Sequence, residues 1–301
     1  MPELPEVETV RRSLIKHLIG RTIEEVEVFL PKIIRYMEVA QFQESLKNQQ
    51  FLAIERRGKY LLAHLSKGWT LVVHLGMTGR LYYLPVDKGQ PLSSTSLPLT
   101  PSSLPLTKGS EAPRHVHAIL SLDNGGSLVY HDYRQFGYLT LSRTNETMCL
   151  KGLKELGPEP LEDKFSLPVL QRGVQGRKAK IKQLLLDQRL VAGIGNIYAD
   201  EILFTAGLHP ERSGGSLTDA ELKKLYRSIR YVLQKGIEFR GTSINDYVDG
   251  EGHPGEFQHH LQVYQRTGQA CTRCSSVIQR VKVGGRSSHF CPQCQTEPAK
   301  I

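Results

Sequence analysis

The chain has 301 residues, of which 39% are hydrophobic, and this length and composition allow two domains with ordinary buried cores. Its formal net charge of +9 and isoelectric point near 9.3 favour a polyanionic partner over an acidic small molecule. The sequence contains no membrane-spanning run and no apolar signal region at its start, so we expect a cytoplasmic protein without a membrane partner.

Residues 2–6 read Pro-Glu-Leu-Pro-Glu and place two carboxylates beside a potential amine. Removal of the initiator Met would make Pro2 the chain end, and a free α-amine with a pKa near ~8 is a nucleophile at neutral pH. Such a secondary amine forms a cationic iminium with a sugar carbon, which suits lyase chemistry. Alternatively, Pro2 and Pro5 only start a helix, and Glu3 and Glu6 only complement its dipole. These residues alone leave both interpretations open.

The first half of the chain predicts one helix followed by strands. Apolar residues recur at three- and four-residue steps between residues 7 and 18, which predicts a helix that ends near Gly20. Residues 22–83 and 115–141 alternate between apolar and polar positions, as strands do. We therefore expect an antiparallel β-sandwich in this half of the chain.

Between the two strand-like stretches lies a segment of low complexity, residues 85–113. It contains the unit Ser-Leu-Pro-Leu-Thr twice, at 96–100 and at 103–107, and it is rich in Pro and Ser. A segment of this composition buries too little apolar surface to fold on its own. We expect a disordered surface insertion that carries no chemistry.

From about residue 151 the pattern becomes helical. Predicted helices at 179–186 and 196–204 flank a Gly-containing loop, which resembles a helix-turn-helix arrangement with a long turn. A longer helix follows at 218–235, and its first residues suit a capping box. Asn196 stands at a helix start, where the backbone N–H groups either hold a phosphate or receive an ordinary cap.

Four of the five cysteines form two C-x-x-C pairs near the end of the chain. Cys271 and Cys274 are separated by sixteen residues from Cys291 and Cys294, a spacing typical of a zinc site. Two disulfides are the alternative, but we expect none in a chain without an export signal. Four thiolates leave no open coordination position, so we predict one structural zinc ion. Cys149 lies outside this cluster and is expected to be a small buried hydrophobe.

With these parts in hand, the chain resembles the bacterial formamidopyrimidine-DNA glycosylases, also called 8-oxoguanine DNA glycosylases. The motifs that carry the resemblance are residues 2–9, 57–60, 74–77, 193–199 and 257–260 and the four cysteines. They follow the family's order over nearly the whole chain and leave out chiefly the insertion.

The resemblance implies an α+β multidomain fold with DNA in the cleft between the lobes. A two-layer antiparallel β-sandwich with an N-terminal helix would occupy residues 2–141. A helical domain with a helix-two-turn-helix would span 142–265, and a zinc-finger hairpin 266–295. Residues 241–255 would form a mobile loop that closes over the flipped purine.

The resemblance also assigns catalytic roles. Pro2 would attack C1′ of the damaged nucleotide, and Glu3 would supply and remove protons. Lys59 matches the lysine used in the elimination phase, and Glu6 would order the N-terminus. Arg286, on the turn between the zinc knuckles, would reach the phosphates of the flipped nucleotide and assist the second elimination.

DNA-binding positions carry over in the same way. A glycosylase must flip its base and fill the gap, and the gap-filling positions correspond to Met77, Arg134 and Phe136. The positions expected to bind the DNA backbone are His74, His115, Arg177, Lys178 and Asn196, together with Arg286. Gln135 departs from the family pattern, because a second basic residue is expected there, so one phosphate contact is predicted to be absent.

The implied activity is that of a bifunctional glycosylase and AP lyase. It would excise 8-oxoguanine and formamidopyrimidines from double-stranded DNA and cut the strand by β,δ-elimination, acting as a monomer at the nucleoid. One alternative is an endonuclease VIII-like enzyme for oxidised pyrimidines, which the Leu-Pro-Glu-Val run at residues 4–7 and the long loop before Phe257 disfavour. The other is a non-catalytic zinc protein that binds damaged DNA.

Overall fold

The computed structural model describes residues 2–86, 114–244 and 247–296. These residues form two compact units. Of the described residues, the first unit contains Pro2, 6–86, 114–150, 243–244 and 247–255, and the second contains 3–5, 151–242 and 256–296. The predicted insertion lies outside the described residues apart from Pro85 and Val86, as do residues 245–246 of the predicted mobile loop.

The first unit is a sandwich of two four-stranded antiparallel sheets. Its strands are β1 (Ile23–Val28), β2 (Phe51–Arg57), β3 (Tyr60–Leu65), β4 (Trp69–His74), β5 (Arg80–Leu84), β6 (Val116–Leu122), β7 (Ser127–His131) and β8 (Tyr138–Arg143). One sheet has the order β1-β6-β7-β5 and the other the order β2-β3-β4-β8. The predicted two-layer sandwich is confirmed.

Two helices accompany these sheets, α1 (Leu4–Leu18) and α2 (Val39–Leu46). The apolar face of α1 belongs to the main core of the sandwich, as its heptad-like spacing predicts. The prediction of continuous strand structure over residues 22–83 was wrong at α2. There Phe42 and Leu46, four residues apart, bury one face of a helix in the same core.

The second unit is helical and ends in a β-hairpin. Its helices are α3 (Leu167–Val174), α4 (Ile181–Leu186), α5 (Asn196–Ala206) and α6 (Asp219–Glu238), and its strands are β9 (Gln279–Val283) and β10 (Arg286–Phe290). The sequence did not predict α3. The capping box of α6 is confirmed, since Thr218 and Glu221 exchange side-chain to backbone hydrogen bonds. Among the described helices, none has the length and apolar character needed to cross a membrane.

Candidate active site and nucleic-acid interface

The carboxylate of Glu3 occupies the N-terminus of α5 in the second unit. The Gly195 N–H donates to its Oε2 (2.7 Å), the Ile197 N–H to its Oε1 (2.9 Å) and the Tyr198 N–H to its Oε2 (3.3 Å). Glu3 is only 2% exposed. These are the N–H groups that a helix start leaves without intrahelical partners, and they stabilise a negative charge. Glu3 therefore caps α5, and the phosphate contact predicted for Asn196 stays a prediction.

Two glycines make room for the N-terminal segment. A Cβ at Gly195 would lie 2.5 Å from Oε1 of Glu3, and a Cβ at Gly193 would lie 2.6 Å from Cβ of Leu4. Gly193 also has a left-handed φ of 89°, and its carbonyl accepts the Leu4 N–H at 3.0 Å. The Gly-Ile-Gly sequence at 193–195 therefore leaves the space that Glu3 and Leu4 occupy. The motif at residues 193–199 thus packs against the motif at residues 2–9.

A buried charge network fastens the zinc hairpin to α4 and α5. Lys182 is 0% exposed, and its Nζ donates to Asp200 Oδ1 (2.6 Å) and to the Ser287 carbonyl (2.8 Å). Asp200 Oδ2 accepts hydrogen bonds at 2.9 Å from both the backbone N–H and Nδ1 of His289. Burial lowers the pKa of Lys182, while the Asp200 carboxylate counteracts that shift. The sequence did not predict this network, because its hydrogen-bonded partners are up to 105 residues apart and lie on three elements.

The same carbonyl of Ser287 also binds Asn196. The Asn196 amide Nδ2 donates to it at 3.0 Å, which ties the first residue of α5 to β10. Arg286 begins β10 and is exposed, directly after the Gly284-Gly285 turn, in which both glycines have positive φ. Arg177 and Lys178 are exposed in the turn between α3 and α4. Glu3, Asn196 and Arg286 are therefore connected within the second unit through α5 and β10.

The remaining residues with expected catalytic roles lie in the first unit. Pro2 is buried just ahead of α1, and Glu6 is buried in the first turn of that helix. The Glu6 carbonyl accepts the Tyr247 hydroxyl at 3.1 Å. Lys59 is buried in the turn between β2 and β3. An almost fully buried lysine is uncommon, and its burial distinguishes Lys59 from a surface lysine.

His74 is a neutral hydrogen-bond donor at the end of β4. Burial, and then the positive charges of Lys59 and Arg35, lower the pKa of His74 to about 4. Its Nδ1 accepts the Gly76 N–H at 3.1 Å, so the ring proton is on Nε2, which is suited to a phosphate oxygen. Arg35 stacks on Tyr138, 3.8 Å from the ring centroid, and was not singled out by the sequence.

The residues predicted to fill the gap lie on two loops that are joined by Asp132, a buried residue that was not among the predicted site residues. Its carboxylate accepts the Thr78 hydroxyl (2.5 Å), the Arg134 N–H (3.3 Å) and the Gly137 N–H (2.8 Å). These bonds join the loop that carries Met77 to the loop that carries Arg134 and Phe136. Met77 is 40% exposed and Phe136 53% exposed, which is unusual for such large apolar side chains and fits insertion into a base stack.

Glycines let these two loops touch backbone to backbone. A Cβ at Gly76 would lie 2.6 Å from the carbonyl carbon of Phe136, and a Cβ at Gly137 would lie 2.6 Å from the His74 carbonyl oxygen. His115 is beside the second loop, because its carbonyl accepts the Asp132 N–H at 3.0 Å. The first unit thus places His74, Met77, His115, Arg134 and Phe136 along one set of connected loops.

The four predicted zinc ligands form one cluster on the β9–β10 hairpin. The Sγ atoms of Cys271, Cys274, Cys291 and Cys294 all lie within 4.8 Å of one another. The Sγ separations are 3.9 Å for Cys271 and Cys294, 3.4 Å for Cys274 and Cys291, and 3.5 Å for Cys274 and Cys294. Tetrahedral zinc with Zn–S bonds of about 2.3 Å needs sulfur separations of about 3.8 Å. The cluster therefore fits one structural zinc ion. Cys149, in contrast to its prediction, is exposed.

Three family descriptions match consecutive parts of the chain. "Formamidopyrimidine-DNA glycosylase N-terminal domain" matches residues 1–139, and "Formamidopyrimidine-DNA glycosylase H2TH domain" matches residues 156–248. "Zinc finger found in FPG and IleRS" matches residues 268–296. Together they cover most of the chain in the order sandwich, helices and zinc hairpin.

Individual relatives match over nearly their whole length. The formamidopyrimidine-DNA glycosylase of Pelotomaculum thermopropionicum is 49% identical over 296 residues, which are 98% of this chain and 99% of that protein. Solved structures of the Lactococcus lactis protein FPG also match, with 35% identity over 98% of this chain and 100% of theirs. A variant bound to DNA containing Fapy-dG has a TM-score of 0.86, and the wild type bound to DNA containing an oxidized pyrimidine has a TM-score of 0.85.

Proposed function

The chain belongs to the formamidopyrimidine-DNA glycosylase family, and we propose that it is a bifunctional glycosylase and AP lyase for 8-oxoguanine and formamidopyrimidines. It is a DNA glycosylase of base excision repair, with DNA as its partner and one structural zinc ion. One observation carries the finer proposal. The carboxylate next to Pro2 in the sequence is buried and fixed by three N–H groups, as a group that handles protons must be.

The first phase forms a covalent intermediate at Pro2. After removal of Met1, the Pro2 nitrogen attacks C1′, and the bond from C1′ to the base breaks. The departing base keeps the bonding electrons and takes up a proton. The Glu3 carboxylate takes the proton from the nitrogen and gives it to O4′, and the C1′–O4′ bond opens, which leaves a cationic iminium between Pro2 and C1′.

The second phase cuts the strand. The iminium acidifies C2′, and the Glu3 carboxylate takes a proton from that carbon while the C3′–O bond breaks and the 3′ phosphate leaves. Loss of a C4′ proton then expels the 5′ phosphate. Lys59 and Arg286 supply positive charge for the leaving phosphates. The lowered pKa of His74, to which Lys59 contributes, supports a concentration of cations at this place.

Substrate choice follows from base flipping. We assign Met77 and Phe136 to the space vacated by the purine and Arg134 to the orphaned cytosine, whose acceptors suit a guanidinium. The exposure of Met77 and Phe136, and the hydrogen bonds to Asp132 that join their two loops, support these roles. His115, Arg177, Lys178 and Asn196 would hold the backbone, and Glu6 would order the start of α1.

The wider assignments belong to the same proposal. The protein would act as a monomer in the cytoplasm, where bacterial DNA lies. Its three domains would be the β-sandwich at 2–141, the helical domain at 142–265 and the zinc-finger hairpin at 266–295. The endonuclease VIII-like alternative stays testable, because the Lactococcus lactis relative has been captured with an oxidized pyrimidine as well as with Fapy-dG.

Base release from matched duplexes tests the substrate class. Duplexes carrying 8-oxoguanine opposite cytosine, Fapy-dG opposite cytosine, or thymine glycol would be incubated with protein shown by mass to lack Met1. We expect release of the two purine lesions at least about tenfold faster than release of the pyrimidine, a difference of about 1.4 kcal/mol in barrier. Faster release of thymine glycol would support the endonuclease VIII-like alternative instead. Glu3→Gln should bind the purine duplexes and release no base, whereas retained release would remove Glu3 from the mechanism.

A further inference from the structure

An arginine-lined groove of about 520 Å³ lies in the second unit, apart from the contacts described above. It is bordered by α3, the turn that follows α3, the loop after α4, and Pro158. Arg172, Arg177 and Arg189 contribute three guanidinium groups, and Asp187 contributes one carboxylate. The formal charge of the groove is therefore +2, which favours an anionic ligand.

Arg189 is held in place while remaining accessible. Its Nε and Nη2 donate to Oδ1 and Oδ2 of Asp187, both at 2.9 Å, and its backbone N–H donates to Oδ1 at 3.0 Å. The hydrogen bond from Arg189 and, to a smaller extent, the charge of Arg177 lower the pKa of Asp187. The Arg189 side chain is nonetheless 72% exposed. Because Asp187 holds Nε and Nη2 of Arg189 in place, Nη1 can still donate to a second acceptor. The side chain therefore loses little rotamer entropy when it binds a ligand.

The floor of the groove is rigid. Gly173 lets α3 approach the loop so closely that a Cβ there would overlap the Leu190 side chain. The Gly157 N–H donates to the Gln188 carbonyl at 2.8 Å, and a Cβ at Gly157 would lie 2.7 Å from the carbonyl carbon of Arg189. The arginines therefore project from backbone that is packed on both sides.

We propose that this groove binds backbone phosphates of the DNA duplex on one flank of the lesion, with Arg172 and Arg189 as two phosphate contacts. The inference rests on the proposed function, because Arg177 of the groove is also one of the residues assigned there to the DNA backbone. Guanidinium groups bind phosphate oxygens through paired hydrogen bonds, and an open groove accommodates a continuous strand. The groove extends the DNA interface beyond Arg177 and Lys178.

The salt dependence of DNA binding tests the groove. Binding of an undamaged and an abasic-analogue duplex would be measured across a KCl series for the wild type, for Arg172→Gln/Arg189→Gln and for Lys223→Gln/Arg227→Gln. The last variant removes the same charge from an exposed part of α6 outside the groove. Each lost phosphate contact should reduce the slope of log K against log salt by about 0.9. We expect the groove variant to lose about 1.8 in slope and the control to lose much less.

Two further arms make the result decisive. Arg172→Gln alone leaves the Asp187–Arg189 pair intact and should lose about 0.9 in slope, so a folding defect at Arg189 cannot explain it. Shortening the duplex on one flank, but not on the other, should abolish the difference between wild type and groove variant. Equal slopes for the groove and control variants would overturn the proposal. Saturable binding of inorganic phosphate, lost in the groove variant with an unchanged DNA slope, would overturn it in favour of a free anion. Failure of the wild type to bind any duplex would refute the proposed function itself and the groove proposal with it.

Discussion

Replacing Gly195 with alanine should displace the Glu3 carboxylate without straining the backbone. Gly195 has φ −126° and ψ −159°, which alanine adopts readily, so the added methyl group acts only through its contacts. That methyl would lie 2.5 Å from Oε1 and 2.7 Å from Cγ of Glu3, both of which are buried. The carboxylate must move and weaken its bonds to the N–H groups of Gly195, Ile197 and Tyr198.

The magnitude follows from the bonds at risk. Hydrogen bonds to charged groups contribute about 1.5–3 kcal/mol each, and partial loss of three gives an expected destabilisation of about 2–4 kcal/mol. A displacement of about 1 Å at a group that handles protons should slow base release about 100-fold. Urea unfolding reports the first effect, and single-turnover release of 8-oxoguanine reports the second.

A double-mutant cycle separates this contact from a general effect of the methyl group. In a Glu3→Ala background the carboxylate is gone, so Gly195→Ala should cost less than about 1 kcal/mol. An equal loss of unfolding free energy in both backgrounds would show that the destabilisation does not come from contact with Glu3. Base release by Gly195→Ala at the wild-type rate would show that the position of the Glu3 carboxylate does not control catalysis.

Three further predictions concern the remaining charged groups. Because burial, and then the charges of Lys59 and Arg35, hold the pKa of His74 near 4 instead of 6.5, the unfolded chain takes up this proton first, and stability is lost as pH falls from 6.5 to 4. Urea unfolding of the wild type, compared with His74→Gln, should show about 3 kcal/mol of this loss, and parallel pH profiles would contradict it. Asp200→Ala leaves Lys182 buried without its carboxylate and should cost about 3–5 kcal/mol by the same assay, whereas Asp200→Asn should cost less. Removal of zinc by a chelator, followed by circular dichroism and DNA-binding measurements, should unfold the β9–β10 hairpin and abolish DNA binding, and unchanged binding by zinc-depleted protein would show that the hairpin is dispensable.

The sequence predicted features whose signals are local. The spacing of the four cysteines required only a hairpin to bring them together, and the helix caps and strand alternation depend on near neighbours. Two short helices were missed, α2 and α3. The amphipathic pattern of α2 lies inside a strand-like stretch, where Phe42 and Leu46 are too few to stand out.

The sequence could not predict contacts between distant residues. In the sequence, Lys182, Asp200 and His289 are ordinary polar residues. Folding brings the Asp200 carboxylate within 3 Å of both Lys182 Nζ and His289 Nδ1. Asp132 was not among the predicted site residues, although its carboxylate joins two loops more than 50 residues apart. One interpretation of the sequence was that Glu3 complements the dipole of α1, the helix next to it. In the structure it caps α5, which begins almost 200 residues later.

Borohydride trapping followed by peptide mapping shows whether Pro2 attacks the sugar. Borohydride reduces an iminium to a stable amine, so incubation with an 8-oxoguanine duplex should leave a covalent adduct. After proteolysis, mass spectrometry should locate the sugar remnant on the peptide that begins with Pro2, and Pro2→Gly should form much less adduct. Attack by Pro2 would be contradicted by a sugar remnant on a lysine peptide of the wild type. It would equally be contradicted if protein that lacks Met1 and binds the duplex formed no adduct.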